Sequence, residues 1–338
     1  MSATAKSISE ALSNPTHFSS AQFSTLRPKP ARLVKPLSLV CERGLEPDQS
    51  RKPLVQEHKD GFNSSWVSPN PIRPFVKWVG GKRQLLDILT AAMPRNHGKY
   101  YEPFIGGGAL LFSHLPRKAI ISDINAELVN CYEVIRDDVD ALVRSLKQHK
   151  NTEEHFYRVR AKKPETMTSV QRASRFVYLN KTCFNGLYRE NQSGQFNAPY
   201  GRYTNPRIVD EGNLRAISAY LNSNEIGIVH SGYEHVLETA VAGDLIYFDP
   251  PYAPLSKTAN FATYTKRGFT LDDQAQLAQA FASLAAKGVH VMLSNSNTDV
   301  IRELYKGFRI QTVHATRAIN CKGALRGKEP NEVLVTSY

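Results

Sequence analysis

From Phe75 onward, short apolar runs alternate with longer stretches of helical periodicity. The runs Tyr100–Phe104, Ala119–Asp123, Gly227–His230, Leu245–Asp249 and His290–Ser294 have the length and composition of buried strands. Helical patterns separate several of them, at Arg83–Ala92, Ala126–Lys147 and Leu271–Ala286. This alternation predicts an α/β fold, with a largely parallel sheet and helices on both faces. The tail reads differently. Arg309–Thr316 and Glu332–Ser337 flank a basic, glycine-containing loop, which predicts a β-hairpin closing the sheet edge.

Two regions break the alternation. Residues 151–225 begin helically and then become loop-rich, with many Arg and Lys and several aromatics, as expected of a module inserted between 75–150 and 226–338. Residues 1–74 are rich in Ser, Pro, Thr and scattered charge, and most of them are expected to form a disordered extension. They lack the apolar centre of a secretory signal, and acids such as Glu10 argue against a transit peptide.

Composition narrows the class. At 338 residues and 41% hydrophobic, the chain can bury a sizeable core. No apolar run approaches the roughly 18 residues of a membrane span. Cys41, Cys131, Cys183 and Cys321 show no metal-ligand spacing and read as reduced thiols of a cytoplasmic protein. A net charge of +12 favours a polyanionic partner, of which nucleic acid is the commonest.

The candidate chemistry sits at strand ends. In the run 100–109 a strand leads into Gly106, Gly107 and Gly108 and then a helical stretch, a turn that lets a ligand approach backbone. The full G-x-G-x-x-G of a dinucleotide site is missing. Asp123 ends the next strand, where an acid can accept hydrogen bonds from ribose hydroxyls; capping of the following helix is the structural alternative. In the run 75–82, Lys82 follows two glycines but does not complete a P-loop. With Trp78 it suits a ligand carrying a carboxylate and a cationic centre, since cations are drawn to aromatic faces. S-adenosylmethionine offers both.

The most informative stretch is 245–252, Leu-Ile-Tyr-Phe-Asp-Pro-Pro-Tyr. An apolar strand ends in Asp249, and Pro250 and Pro251 stop it and fix the backbone. The Asp249 carboxylate and the Pro250 carbonyl can accept the two hydrogens of an exocyclic amine, and Tyr252 can stack on the base. Adenine in a duplex reaches such a pocket only by rotating out of the stack, at a cost of a few kcal/mol. The step needs positioning and charge arrangement, with no metal.

Together these motifs resemble the Dam-type, α-group DNA adenine methyltransferases, including the GATC-specific enzymes of restriction–modification systems. The resemblance runs from Phe75 to Tyr338, through FVKWVGGK (75–82), EPFIGGGA (102–109), SDIN (122–125), NGLYREN (185–191), GQFNAPYGRY (194–203) and DPPYAPLS (249–256). It implies a seven-stranded, Rossmann-like methyltransferase sheet with an inserted, mainly helical target-recognition module. It implies that Trp78, Lys82, Phe104, Gly106, Gly108, Asp123 and Asp249 bind S-adenosylmethionine. It also implies a monomer acting on double-stranded DNA through Phe184, Asn185, Leu187, Arg189, Asn197, Pro199, Arg202 and Tyr203. By that analogy Arg189 reaches a guanine edge, Leu187 and Pro199 pack on thymine, and Phe184 fills space beside the flipped base. Family members often carry Tyr in place of Phe184.

Three other readings compete. The tetrapeptide at 249–252 also permits cytosine-N4 or RNA adenine methylation, although the recognition insert points to duplex DNA. Methylation at a ring carbon is disfavoured because no Pro-Cys pair supplies a nucleophile. A non-catalytic DNA-binding protein on the same fold is opposed by the complete Asp249-Pro250-Pro251-Tyr252 run, as is a nicotinamide-dependent oxidoreductase.

Overall fold

The computed structural model describes residues 71–191, 194–253, 269–314 and 332–338. The extension expected before residue 75 therefore lies almost wholly outside the described residues, as does the loop of the terminal hairpin. Seven strands form one sheet: β1 (Tyr100–Glu102), β2 (Lys118–Asp123), β3 (Glu225–His230), β4 (Leu245–Phe248), β5 (His290–Ser296), β6 (Arg309–Val313) and β7 (Glu332–Thr336). Their order is β3-β2-β1-β4-β5-β7-β6. The first five pair in parallel.

The expected hairpin of β6 and β7 is present, but β7 is its inner arm. It runs antiparallel between β5 and β6, with Ser296 opposite Glu332 and Arg309 opposite Thr336. The reversal brings the first residue of β7 to the carboxyl end of β5. β1 stops two residues earlier than its apolar pattern suggests, because Pro103 cannot continue the ladder.

Side-chain alternation along the strands separates two cores. Tyr100, Leu245, Tyr247, Met292 and Leu334 belong to one apolar cluster. Tyr101, Ile246, Phe248, Val291, Leu293, Val333 and Val335 belong to the other. Successive residues of a strand point to opposite faces, so a sheet this apolar must be covered on both.

On the first face lie α1 (Leu86–Ala92), α2 (Ala109–His114), α3 (Ala126–Asp137) and α4 (Val139–Lys147). The stretch expected to be one helix over 126–147 is broken at Asp138, which leaves helical geometry at φ −150° and caps α4 by accepting from the Ala141 amide. The same face receives α5 (Glu153–Arg160), α6 (Ser169–Thr182) and α7 (Glu211–Ser223). Phe156, Phe176 and Leu214 of these helices share their cluster with Tyr100 and Leu128. The helices of 151–225 thus pack into the core of the sheet, and α7 follows the loop-rich part that the sequence pattern places last. The opposite face carries α8 (Val236–Thr239), α9 (Leu271–Ala286) and α10 (Asp299–Leu304). α9 spans the residues its periodicity predicts, opened by a capping box of Thr270 and Asp273.

One buried cation holds α5 and α6 together. Arg175 of α6 donates from Nε to the Val159 carbonyl at 3.2 Å and from Nη2 to the Arg160 carbonyl at 2.9 Å. These are orphan carbonyls of the last turn of α5, where a cation also meets the negative end of the helix dipole. Charge-assisted bonds of this kind contribute about 1.5–3 kcal/mol. Arg175→Ala is therefore expected to lower the unfolding free energy by about 2–3 kcal/mol, measured by urea denaturation.

Candidate active site

The strand order reverses between β1 and β4, and in open α/β sheets the crevice outside the carboxyl ends at such a point is where ligands bind. Glu102, Asp123 and Asp249 stand at or just beyond the carboxyl ends of β1, β2 and β4. Ser296 ends β5, with Glu332 of β7 beside it.

Lys82 enters this edge from the loop before α1. It is 6% exposed, and its Nζ lies 2.7 Å from Asp249 Oδ1 and 4.7 Å from the centre of the Tyr252 ring. Nζ also donates to the Gly80 carbonyl at 2.6 Å. The Tyr252 hydroxyl donates to Glu332 Oε2 at 2.8 Å. The sequence-predicted Lys82, Asp249 and Tyr252 are therefore brought together, and Glu332 is added to them. Burial pushes the Asp249 carboxyl up to about 6; the Lys82 charge opposes that rise, and the Glu332 charge adds to it. The Glu102 carboxyl, buried beneath and bonded by the Tyr100 hydroxyl at 2.8 Å, is pushed up to about 8, again chiefly by burial.

The turn after β4 is clamped by buried amides. Gln274 of α9 donates to the Pro251 carbonyl at 2.8 Å. Its Oε1 accepts from Asn295 Nδ2 at 2.9 Å, and Asn295 Oδ1 accepts from the Ala253 amide at 3.1 Å. The Ser296 hydroxyl donates to the Ala253 carbonyl at 2.7 Å. Gln274, Asn295 and Ser296 are fully buried. Nothing in the local sequence of β5 or α9 marks these residues as site residues; only pairing of β4 with β5 places them.

The glycine turn and Asp123 also meet. Gly106 has φ 47°, and a Cβ there would come within 2.5 Å of the Trp78 ring, so both conformation and contact demand glycine. Its amide donates to Asp123 Oδ2 at 3.2 Å, while the Asn125 amide donates to Oδ1 at 2.9 Å. Capping of α3 falls to Asn125, whose side chain accepts from the Glu127 and Leu128 amides. Asp123 is instead held by backbone amides on both oxygens, and burial raises its carboxyl to about 6. Gly108 precedes α2 in the left-handed region. Phe104 stacks on Tyr233 at 5.9 Å, and Phe248 and Phe269 meet it edge-on. Tyr233 was not marked by any sequence motif.

The segment 183–203 forms an irregular hairpin held by bridges between Cys183 and Tyr200 and between Glu190 and Phe196. Phe184, 52% exposed, sits with Asn185, Leu187 and Arg189 on one arm, and Asn197, Pro199, Arg202 and Tyr203 on the other. Arg189 Nε donates to Asn197 Oδ1 at 2.7 Å, and both face solvent. Asn185 and Arg202 have positive φ, 57° and 52°. Lys77, to which the sequence pattern assigned no role, places its Nζ 4.5 Å from the centre of the Tyr203 ring.

Among the described residues, no group of three or more His, Cys, Asp and Glu is arranged to hold a metal, and no helix is long and apolar enough to cross a membrane. The carboxyl edge thus gathers a glycine turn, a buried carboxylate on β2 and an Asp-Pro-Pro-Tyr turn near the point where the strand order reverses.

The comparisons with known proteins agree. The family model of the D12 class N6 adenine-specific DNA methyltransferases matches residues 78–319. A Type II methyltransferase of Lactococcus lactis subsp. cremoris is 46% identical over 273 residues, covering 79% of this chain and 96% of the relative. A Type II methyltransferase of Methanocaldococcus jannaschii is 44% identical over 289 residues, 79% of this chain and 99% of the relative. The DNA adenine methylase of Escherichia coli K12 is 33% identical over 260 residues, 76% and 92% respectively. With the match extending through the glycine turn, the hairpin that begins at Cys183 and the Asp249 turn, the chain belongs to the D12 class of N6 adenine-specific DNA methyltransferases.

Proposed function

We propose that the protein takes the methyl group from S-adenosylmethionine, delivers it to adenine N6 in duplex DNA with the base flipped out, and acts at GATC. The observation that carries this reading is the clamped Asp249 turn, with its carboxylate paired to Lys82 and its tyrosine anchored to Glu332.

The edge fits a cationic methyl donor. Among the described residues Asp249 pairs with Lys82 while the Glu332 charge acts on the same carboxyl, so a sulfonium finds negative charge there. Asp123 is offered to the ribose hydroxyls, with Gly106 and Gly108 turning the backbone toward the ligand. Trp78, Lys82 and Phe104 complete the proposed binding set. S-adenosylmethionine supplies an electrophilic methyl carbon on a good leaving group.

The residues of the chain then position the base. Tyr252 stacks on adenine. The Asp249 carboxylate and the Pro250 carbonyl each accept one N6 hydrogen, which turns the nitrogen lone pair toward the methyl carbon. The N–C bond forms as the C–S bond breaks with its electron pair on sulfur. The extra proton on N6 passes to the Asp249 carboxylate and on to water. Because Gln274 and Asn295 fix the backbone on both sides of Tyr252, the acceptors are in place before the base arrives.

On the hairpin, Arg189 is assigned to a guanine edge, with Leu187 and Pro199 on thymine and Phe184 beside the extruded base. Asn185, Asn197, Arg202 and Tyr203 complete the DNA contacts. The Arg189–Asn197 bond holds the guanidinium in one plane, which a bidentate contact to O6 and N7 requires.

The following measurements test this. Asp249→Ala is expected to lower kcat by about a hundredfold or more while duplex binding persists, assayed by methyl transfer and by fluorescence anisotropy; near-normal turnover refutes the mechanism. The pH profile of kcat is expected to fall on the acid side with an apparent pKa of about 6, because Asp249 must be ionised to accept from N6. Lys82 lowers that value, so Lys82→Met, measured at saturating S-adenosylmethionine, is expected to move the acid limb upward. Arg189→Ala is expected to cost about 5- to 150-fold on GATC and to relax preference at one base pair. Arg202→Ala should instead weaken all duplexes alike and flatten the salt dependence. Sequencing DNA from a methylation-free host expressing the protein identifies the methylated motif, and adenine modified chiefly outside GATC overturns that part of the proposal.

A further inference from the structure

Asn180, in the last turn of α6, is fully buried. Its carboxamide is committed on both atoms. Oδ1 accepts from the Lys77 amide at 2.8 Å, and Nδ2 donates to the Lys77 carbonyl at 2.7 Å and to the Gly186 carbonyl at 3.2 Å. Lys77 immediately precedes Trp78 in the segment that delivers Lys82 to Asp249. Gly186 closes the turn Phe184–Gly186, which lies between Phe184 and Arg189. One side chain therefore ties the backbone of the donor segment to the backbone of the recognition turn.

Two further contacts tighten the same joint. Gly186 has φ 64°, and a Cβ there would clash with Cδ of Lys77, so the two segments touch without a side chain between them. The Trp78 ring stacks on Tyr188 at 5.9 Å and 21°. Trp78 in turn lies against Gly106 of the glycine turn. A contiguous packed path runs from the glycine turn through Trp78 to the recognition arm, and Asn180 is its hydrogen-bonded pin.

We propose that Asn180 is a positioning residue that couples the methyl-donor site to the recognition turn, so that donor and target DNA strengthen each other's binding through this joint. The inference rests on the function proposed above. Ordering of 75–82 by the donor fixes Lys77 and, through Asn180, the carbonyl of Gly186, which sets the turn in its DNA-binding geometry. Such coupling is reciprocal: each ligand changes the affinity of the other by the same factor.

The test uses the full chain, sinefungin as a non-reactive donor analogue, and a duplex that the wild-type enzyme methylates. The affinity for the duplex is measured with and without sinefungin, and the affinity for sinefungin alone is measured by calorimetry. In the wild type, sinefungin is expected to tighten duplex binding roughly fivefold or more. In Asn180→Ala the ratio is expected to fall to about one, with sinefungin affinity in the absence of DNA within about twofold of wild type. A merely structural role would lower the melting temperature and leave the ratio unchanged, and that result overturns the proposal. A wild-type ratio of one overturns it as well. Should Asn180→Ala not melt cooperatively, Asn180→Asp carries the same test, since it keeps the shape and the acceptor for the Lys77 amide but loses the donor to both carbonyls. A wild-type protein that binds sinefungin and methylates DNA while the variants stay coupled defeats only this inference; one that neither binds sinefungin nor methylates any duplex defeats the functional reading too.

Discussion

The ammonium of Lys82 is the charge on which the carboxyl edge of the sheet depends. Asp249 and Glu332 converge there because β4 runs parallel and β7 antiparallel to β5, which brings the end of one strand and the start of another to the same rim. A carboxylate buried without a partner is costly, and removing one member of a buried pair commonly costs several kcal/mol. Lys82 offsets that cost for Asp249 at 2.7 Å while its ammonium also faces the ring of Tyr252. Topology thus creates an electrostatic problem that one residue before α1 relieves.

Rigidity around this pair comes from amides. Gln274, Asn295 and Ser296 close a chain of hydrogen bonds across the Asp249 turn, and each is buried where an unsatisfied polar group would be penalised. A satisfied network of this kind specifies a single backbone path. The recognition hairpin is built the other way. Asn185 and Arg202 hold positive φ, and its anchorage lies at the base, where Asn151 donates to the Tyr203 carbonyl and Asn180 to that of Gly186.

Much of this was legible in the linear pattern. Strand positions followed from apolar runs, most clearly for β1, β4 and β5, which are buried on both faces and so are largely apolar. Asp249, Lys82 and Asp123 were legible because their neighbours, two prolines, two glycines and a strand end, are chemically distinctive. Glu332, Gln274, Asn295 and Asn180 were not. An isolated acid or amide in a strand or helix carries no local signal, and its role arises only when pairing or packing sets it against a distant segment. The break at Asp138 was missed for a related reason: apolar periodicity continues across it, and only the Asp side chain's affinity for backbone amides decides the boundary. The inner position of β7 likewise depends on which edge of β5 is free.

That inner position also constrains how the protein is made. β7 follows β5 and β6 in the chain, yet it lies between them and supplies the acid that anchors Tyr252. Until it emerges, β5 presents an open edge bearing Val291, Met292 and Leu293, and an unpaired apolar edge is a template for association with other chains. A polypeptide interrupted before residue 332 therefore carries the full Asp-Pro-Pro-Tyr turn but neither its closing strand nor its tyrosine anchor. Translation order thus withholds competence for chemistry until β7 has emerged, and it makes chains that lack β7 sticky rather than partly active.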